Sequence, residues 1–297
     1  MLKLRHLLAA TTGLALLASA STAHATAYAY GNINFTNLTL SNLQAPGVTL
    51  NSANVTTRDS AGFPGAAAAS NSVGPANAAN PLTAGSDVPQ AFSGPGPFPG
   101  ENNYGQALLN SFGTRGDAQL VGNLLTGVGT GANDVAEGRI GTAGSASSTA
   151  GTSTGFNVVL STGTTQTFTL AFNASDSVIA TTTAANEIAS ATVSASFTVA
   201  GTAGTVFATQ VYSPDSLNVS GTSTGGNGNF NTTNASSPFS FSVTLNPGTY
   251  QFSLLSGAQE QVTAPTPTPP NPVPEPASMA LLGAGLAAIG LVRRRRA

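Results

Sequence analysis

The sequence contains no cysteine and no tryptophan, and only 7% of its 297 residues are charged. Without cysteine no disulfide can form, so the chain must be held by packing and hydrogen bonds alone. Lysine and histidine are almost as scarce: Lys3, His6 and His24 all fall within the first 25 residues. Between residues 26 and 274 the only bases are Arg58, Arg115 and Arg139, set against ten acids, a net charge of −7. Such a stretch offers no basic patch to a phosphate backbone, and nucleic acid is not an expected partner.

The same shortages bear on chemistry. Acid–base catalysis near neutral pH leans on histidine, and covalent catalysis on cysteine, lysine or a serine activated by a base. Residues 26–297 have none of the first three. What remains is a carboxylate pair of the glycosidase kind, for which Asp134 with Glu137, or Asp59 beside Arg58, are the candidates. They lie in Gly-rich text without the aromatic platforms a sugar site uses, so the chain is not expected to be an enzyme. Zinc and copper need imidazole or thiolate, and no cofactor is expected. Calcium needs only oxygen, but Asn133, Asp134 and Glu137, or Asp215, match no calcium-loop spacing and read as solvated loop acids.

What is present is concentrated at the ends. Lys3 and Arg5 precede an apolar stretch from Leu7 to Leu17, and Ala23-His24-Ala25 fits a small-x-small cleavage pattern. These are the three parts of a signal peptide, residues 1–25, with Ala23 and Ala25 at the cleavage site and Thr26 as the first mature residue. At the other end, seven prolines between Pro265 and Pro276 favour an extended spacer. A Pro-rich linker over 263–272 leads to Pro274-Glu275-Pro276, an apolar run from Ala277 to Val292, and Arg293, Arg294, Arg295 and Arg296. That run is short for a bilayer, but its glycines and snorkelling arginines suit a transient transmembrane helix with the arginines kept in the cytoplasm.

Proline spacer, Pro-Glu-Pro, short apolar helix and terminal arginines, "VPEPASMALLGAGLAAIGLVRRRR", resemble the PEP-CTERM sorting tail of Gram-negative bacteria, here over residues 273–297. The resemblance implies recognition by exosortase, a membrane-embedded peptidase that cleaves near the motif, and a host that secretes exopolysaccharide. It thus implies an inner-membrane-anchored precursor, held transiently by its tail, and then a cell-surface or extracellular product.

Between the ends, Ala189 to Val199 alternates apolar residues with Ser or Thr at every step, the mark of a strand with one wet face. Phe239, Phe241, Val243 and Leu245 repeat the signal, Asn246-Pro247-Gly248 turns the chain, and Tyr250, Phe252 and Leu254 return. The Pro-Gly-x-Tyr corner predicts a Tyr250 hydroxyl bonded to backbone. Ile33 and Phe35, then Leu38 and Leu40, alternate in opposite phases, which predicts a bulge. Tyr104, Leu108, Leu109 and Phe112, with Leu120, Val121, Leu124 and Leu125 after Asp117 as a cap, suggest two short helices. Ser60–Gly100 reads as a long loop, and residues 127–155 show no period.

The expectation is therefore an all-β antiparallel β-sandwich, jelly-roll or Ig-like, over residues 26–262. It has long Gly/Ala/Ser loops and a loop and helical insertion at about 60–155. It is flanked by a signal helix and a transmembrane helix. The expected role is structural or adhesive, tied to exopolysaccharide or a biofilm matrix; a carbohydrate-binding module is the alternative. An ice-binding role ranks below both, since the threonine runs do not recur at a fixed period.

Overall fold

A computed structural model describes residues 26–74, 82, 85–97, 99–106, 111–202 and 204–266. Residues 1–25, Leu108, Leu109 and the tail from 267 onward, with Pro274, Glu275, Pro276 and Arg293 to Arg296, lie outside the described residues. Among the described residues no helix is long and apolar enough to cross a membrane.

Among the described residues the chain builds fourteen strands: β1 (Ala27–Leu40), β2 (Val48–Gly62), β3 (Ala69–Val73), β4 (Ser86–Asp87), β5 (Ala91–Ser93), β6 (Gly113–Asn123), β7 (Val128–Ile140), β8 (Gly144–Leu160), β9 (Gln166–Thr182), β10 (Ile188–Thr202), β11 (Gln210–Tyr212), β12 (Val219–Thr224), β13 (Asn229–Leu245) and β14 (Gly248–Ala264). They form two antiparallel sheets. The first runs β13-β9-β1-β7-β6-β4, with β5 also on β6. The second runs β11-β10-β14-β8-β2-β3, with β12 also on β10. One apolar core joins their facing sides, drawing Ile33 and Phe168 from the first sheet and Val193 and Phe252 from the second.

The alternation in β10 is realised: Ala189, Ala191, Val193, Ala195, Phe197 and Val199 are buried. β1 carries its bulge where the phase of its apolar residues changes, with a register shift between Thr36 and Thr39 and Asn37 at a φ of 55°. The Asn246-Pro247-Gly248 turn behaves differently from a hairpin. β13 pairs with β9 in the first sheet, whereas β14 pairs with β10 and β8 in the second, so the turn carries the chain across the core. The Tyr250 hydroxyl donates to the Asn246 carbonyl at 2.9 Å and ties that crossing.

The helical reading of 104–125 is overturned. Tyr104 lies in irregular chain, and Gly113–Asn123 is strand β6, paired with β7. Asp117 caps nothing; it is fully buried in mid-strand. Gly116 shows why a strand wins here. A Cβ at that position would stand 2.2 Å from the Thr149 carbonyl oxygen in the opposite sheet, so the bare backbone of β6 packs directly on β8. The aperiodic stretch 127–155 is strand too. In β8 the inward positions Ala146, Ser148, Ala150, Thr152 and Thr154 are buried, while Ser145, Ser147 and Thr149 face out. Inward and outward residues there are equally small and polar, so the pleat leaves no hydrophobic contrast for a period to show. β2 to β8 thus contribute to both sheets, where a helical insertion was expected.

Candidate functional site

Strand parity decides where each candidate acid points. In β7, Asp134 pairs with Ile33 and faces the core, while Glu137, three residues on, pairs with Tyr30 and Arg115 on the outer side. Both are fully buried, so neither is the solvated loop acid expected, and being on opposite faces they cannot flank one substrate. Asp59 and Arg58 also divide, with Asp59 buried and Arg58 exposed.

Asp134 and Glu260 lie between the sheets. Asp134 accepts a hydrogen bond from Ser256, and burial pushes its carboxyl up to about 7. Glu260 of β14 is held well above the carboxylate range by burial, with Ser148 the polar group beside it. Gly138 makes room for it: a Cβ there would meet the Glu260 carboxylate at 2.4 Å.

A second cluster covers the outer face of the first sheet. β1 and β6 place Tyr28, Tyr30, Arg115 and Asp117 there, and Gln90 and residues 102–105 lie against them. Arg115 is fully buried; its Nε donates to Glu137 Oε2 at 2.8 Å, and its other nitrogens bond Gln90 Oε1 and the Asn103 and Gly105 carbonyls. Tyr28 donates to the other Glu137 oxygen at 2.8 Å, and Tyr30 to the Tyr104 carbonyl. Burial, with the Glu137 charge adding to it, holds both phenols above their ordinary range. A buried pair this fully bonded fixes the overlying segment in one arrangement.

Beside it the carboxylates of Asp87, Glu101 and Asp117 converge, one oxygen of each within 4.8 Å of the others. Sequence spacing does not reveal this group, because Asp87 reaches it from β4, Glu101 from a turn and Asp117 from β6. A partial signal was there in "TRGDAQL", where Arg115, Asp117 and Gln119 alternate with Gly116, Ala118 and Leu120.

The outer face of the second sheet is different: it is a pavement of hydroxyls and amides. A shallow groove of about 310 Å³ runs over β8, β14 and β10, lined by Ser147, Thr149, Ser190, Thr192, Gln259 and Gln261. Cross-strand hydroxyl pairs flank it, Thr149 with Ser60 at 2.8 Å and Thr192 with Ser220 at 3.0 Å.

The two ends of the body lie together. Ala27 pairs with Ile140 and Thr182, and Ala264 pairs with Gly144, just across the short connection from Ile140. The Thr26 amide donates to the Thr183 hydroxyl at 2.8 Å, just before β1. β14 runs to Ala264 and stops where the prolines start. The molecule is thus defined as a two-sheet, all-β body whose flanking segments join it at one end.

The C-terminal segment supplies the more particular identification. Residues 272–296 match the family model of the PEP-CTERM protein-sorting motif, so the chain carries that motif and is marked for export and exosortase processing. No curated protein and no solved structure matches the chain.

Proposed function

We propose that this chain is a non-catalytic surface or extracellular-matrix protein with a structural or adhesive role. On this reading the signal peptide is removed after Ala25. The tail holds the precursor briefly in the inner membrane through its apolar run and Arg293 to Arg296. Exosortase, acting near Pro274-Glu275-Pro276, then frees the body to the cell surface or the medium. The observation that carries the reading is the sorting motif at residues 272–296, attached to a two-sheet body whose first described strand starts at Ala27 and whose last ends at Ala264. The division of Asp134 and Glu137 between opposite faces of β7 supports a role without catalysis. Deleting residues 273–297 in the host should trap the body in the cell or the periplasm; unchanged delivery to the surface would remove the sorting half of the proposal.

A carbohydrate-binding role is the second reading, and the groove over β8, β14 and β10 favours it. Its hydroxyls and amides exchange hydrogen bonds readily with a hydrated polysaccharide. Binding through such a surface is weak per contact and gains strength from many copies. Retention of the protein on its host's own exopolysaccharide, lost on changing Gln259 and Gln261 to alanine, is the expected result. No retention would leave the structural role alone.

A further inference from the structure

We propose that Asp87, Glu101 and Asp117 form a calcium site that fastens the turn at Glu101 onto strands β4 and β6. One oxygen from each carboxylate lies within 4.8 Å of the others, a spread that a single cation can bridge. The proximity of three acids is not by itself the argument. Asp117 is fully buried, and while its Oδ2 accepts from the Asn102 amide at 3.0 Å, its Oδ1 is shut from solvent with no hydrogen-bond partner. A buried carboxylate oxygen left bare costs free energy that a bound cation would offset.

The neighbours of the cluster supply dipoles but no spare charge. Asp87 Oδ2 accepts from Gln119 Nε2 at 3.1 Å and from Asn102 Nδ2 at 3.4 Å. Both Glu101 oxygens accept from the Gln90 amide, at 3.0 and 3.2 Å. The nearby guanidinium, Arg115, is already paired with Glu137 and saturated by Gln90 and two carbonyls. Among the described residues none of Asp87, Glu101 and Asp117 forms a salt bridge with a base. The neutral donors orient Asp87 and Glu101 without discharging them.

The donor set selects the ion. All ligands are oxygens, and residues 26–297 contain neither histidine nor cysteine, which removes the softer metals. Two of the three acids are exposed, Asp87 at the end of the short edge strand β4 and Glu101 in a turn. Calcium accepts such a site, completing six to eight oxygens with carbonyls and water, whereas magnesium demands a tight octahedron and yields its own water reluctantly. The ion would link Glu101 to Asp87 and Asp117, and so bind the turn to the sheet.

The full-length chain, purified in detergent and stripped with chelator, provides the test. Terbium is the probe, because Tyr104 lies beside the site, its hydroxyl donating to Asn102 Oδ1 at 3.0 Å. Titrated Tb³⁺ should give tyrosine-sensitised emission that Ca²⁺ displaces, and millimolar Ca²⁺ should raise the unfolding midpoint by about 5 °C. The exposed double variant Asp87→Asn/Glu101→Gln should weaken Tb³⁺ binding at least tenfold while keeping the β-type circular dichroism, and Asp117→Asn should do the same. Asp215→Asn, an exposed acid elsewhere, should bind as the unaltered chain does. Absence of sensitised emission, its persistence in the double variant, or an equal midpoint rise in Mg²⁺ and Ca²⁺ would overturn the proposal.

Discussion

The two ends of the core are built from different materials. Toward the Asn246-Pro247-Gly248 crossing, rings fill the space: Phe252 stacks on Phe156 at 5.2 Å and meets Phe168 edge-on at 5.3 Å, while Tyr212 stacks on Phe241. Toward the end where the chain enters and leaves, the sheets meet through Gly31, Gly116, Gly138, Ala136 and Ala191, with Asp134, Ser148 and Glu260 among them. At the ring end stability comes from apolar area removed from water. At the small-residue end the sheets approach more closely and bury polar groups, so less comes from area and more rests on the protonation of a few acids.

The sharpest way to break this comparison is at the ring end. Phe252 is fully buried and touches three other rings, so Phe252→Ala should cost about 4 kcal/mol, read as a lower denaturant midpoint in guanidinium with an unchanged slope. A loss under 1 kcal/mol would mean that the rings are not what holds that end.

The small-residue end should instead reveal itself through pH. Burial raises the Asp134 carboxyl from 3.8 to about 7, so between those values the native state keeps a proton that the unfolded chain has released. Its contribution is full below about pH 4 and is lost as pH rises through about 7. Asp59, Asp176 and Glu260 are shifted the same way, chiefly by burial. The protein should therefore be more stable at pH 4.5 than at pH 8, with Asp134 supplying on the order of 4 kcal/mol at most. Asp134→Asn should flatten the profile, measured by guanidinium denaturation in chelator across that range. A midpoint that climbs with pH would contradict the burial of these acids.

The same contrast explains how much could be read from the sequence. β10 and β13–β14 were legible because apolar inward residues alternate with Ser and Thr, and the β1 bulge because the phase of its apolar residues slips. β6, β7 and the first part of β8 were not, since most of their inward residues are Gly, Ala, Ser, Thr and Asp, which give the pleat little hydrophobic contrast; only the Phe156–Leu160 end of β8 reads as strand. The helical spacing of Leu120, Val121, Leu124 and Leu125 was a coincidence at a strand end, where Leu120 enters the core and Val121 is 37% exposed. The acid cluster was hidden for another reason: Asp87 meets Asp117 through the pairing of β4 with β6, and Glu101 through a segment bonded to Asp117 at Asn102 and to Arg115 at Asn103 and Gly105. By contrast the tail motif is local in sequence, and its residues are read one after another without any fold.

The crossing at Tyr250 tests a link between the two sheets that neither rings nor acids supply. The ring is buried and packs edge-on against Phe207 at 5.3 Å, while its hydroxyl bonds the Asn246 carbonyl across the corner. Tyr250→Phe keeps the ring and removes only that bond, leaving the carbonyl to find water at the half-open corner. The expected loss is about 1 kcal/mol, well below that of Phe252→Ala. It should be the same at pH 4.5 and at pH 8, because the bond joins a hydroxyl to a backbone carbonyl and involves none of the buried acids. A pH-dependent loss would tie the corner to the buried acids at the far end, and the two regions would then have to be treated as one coupled core.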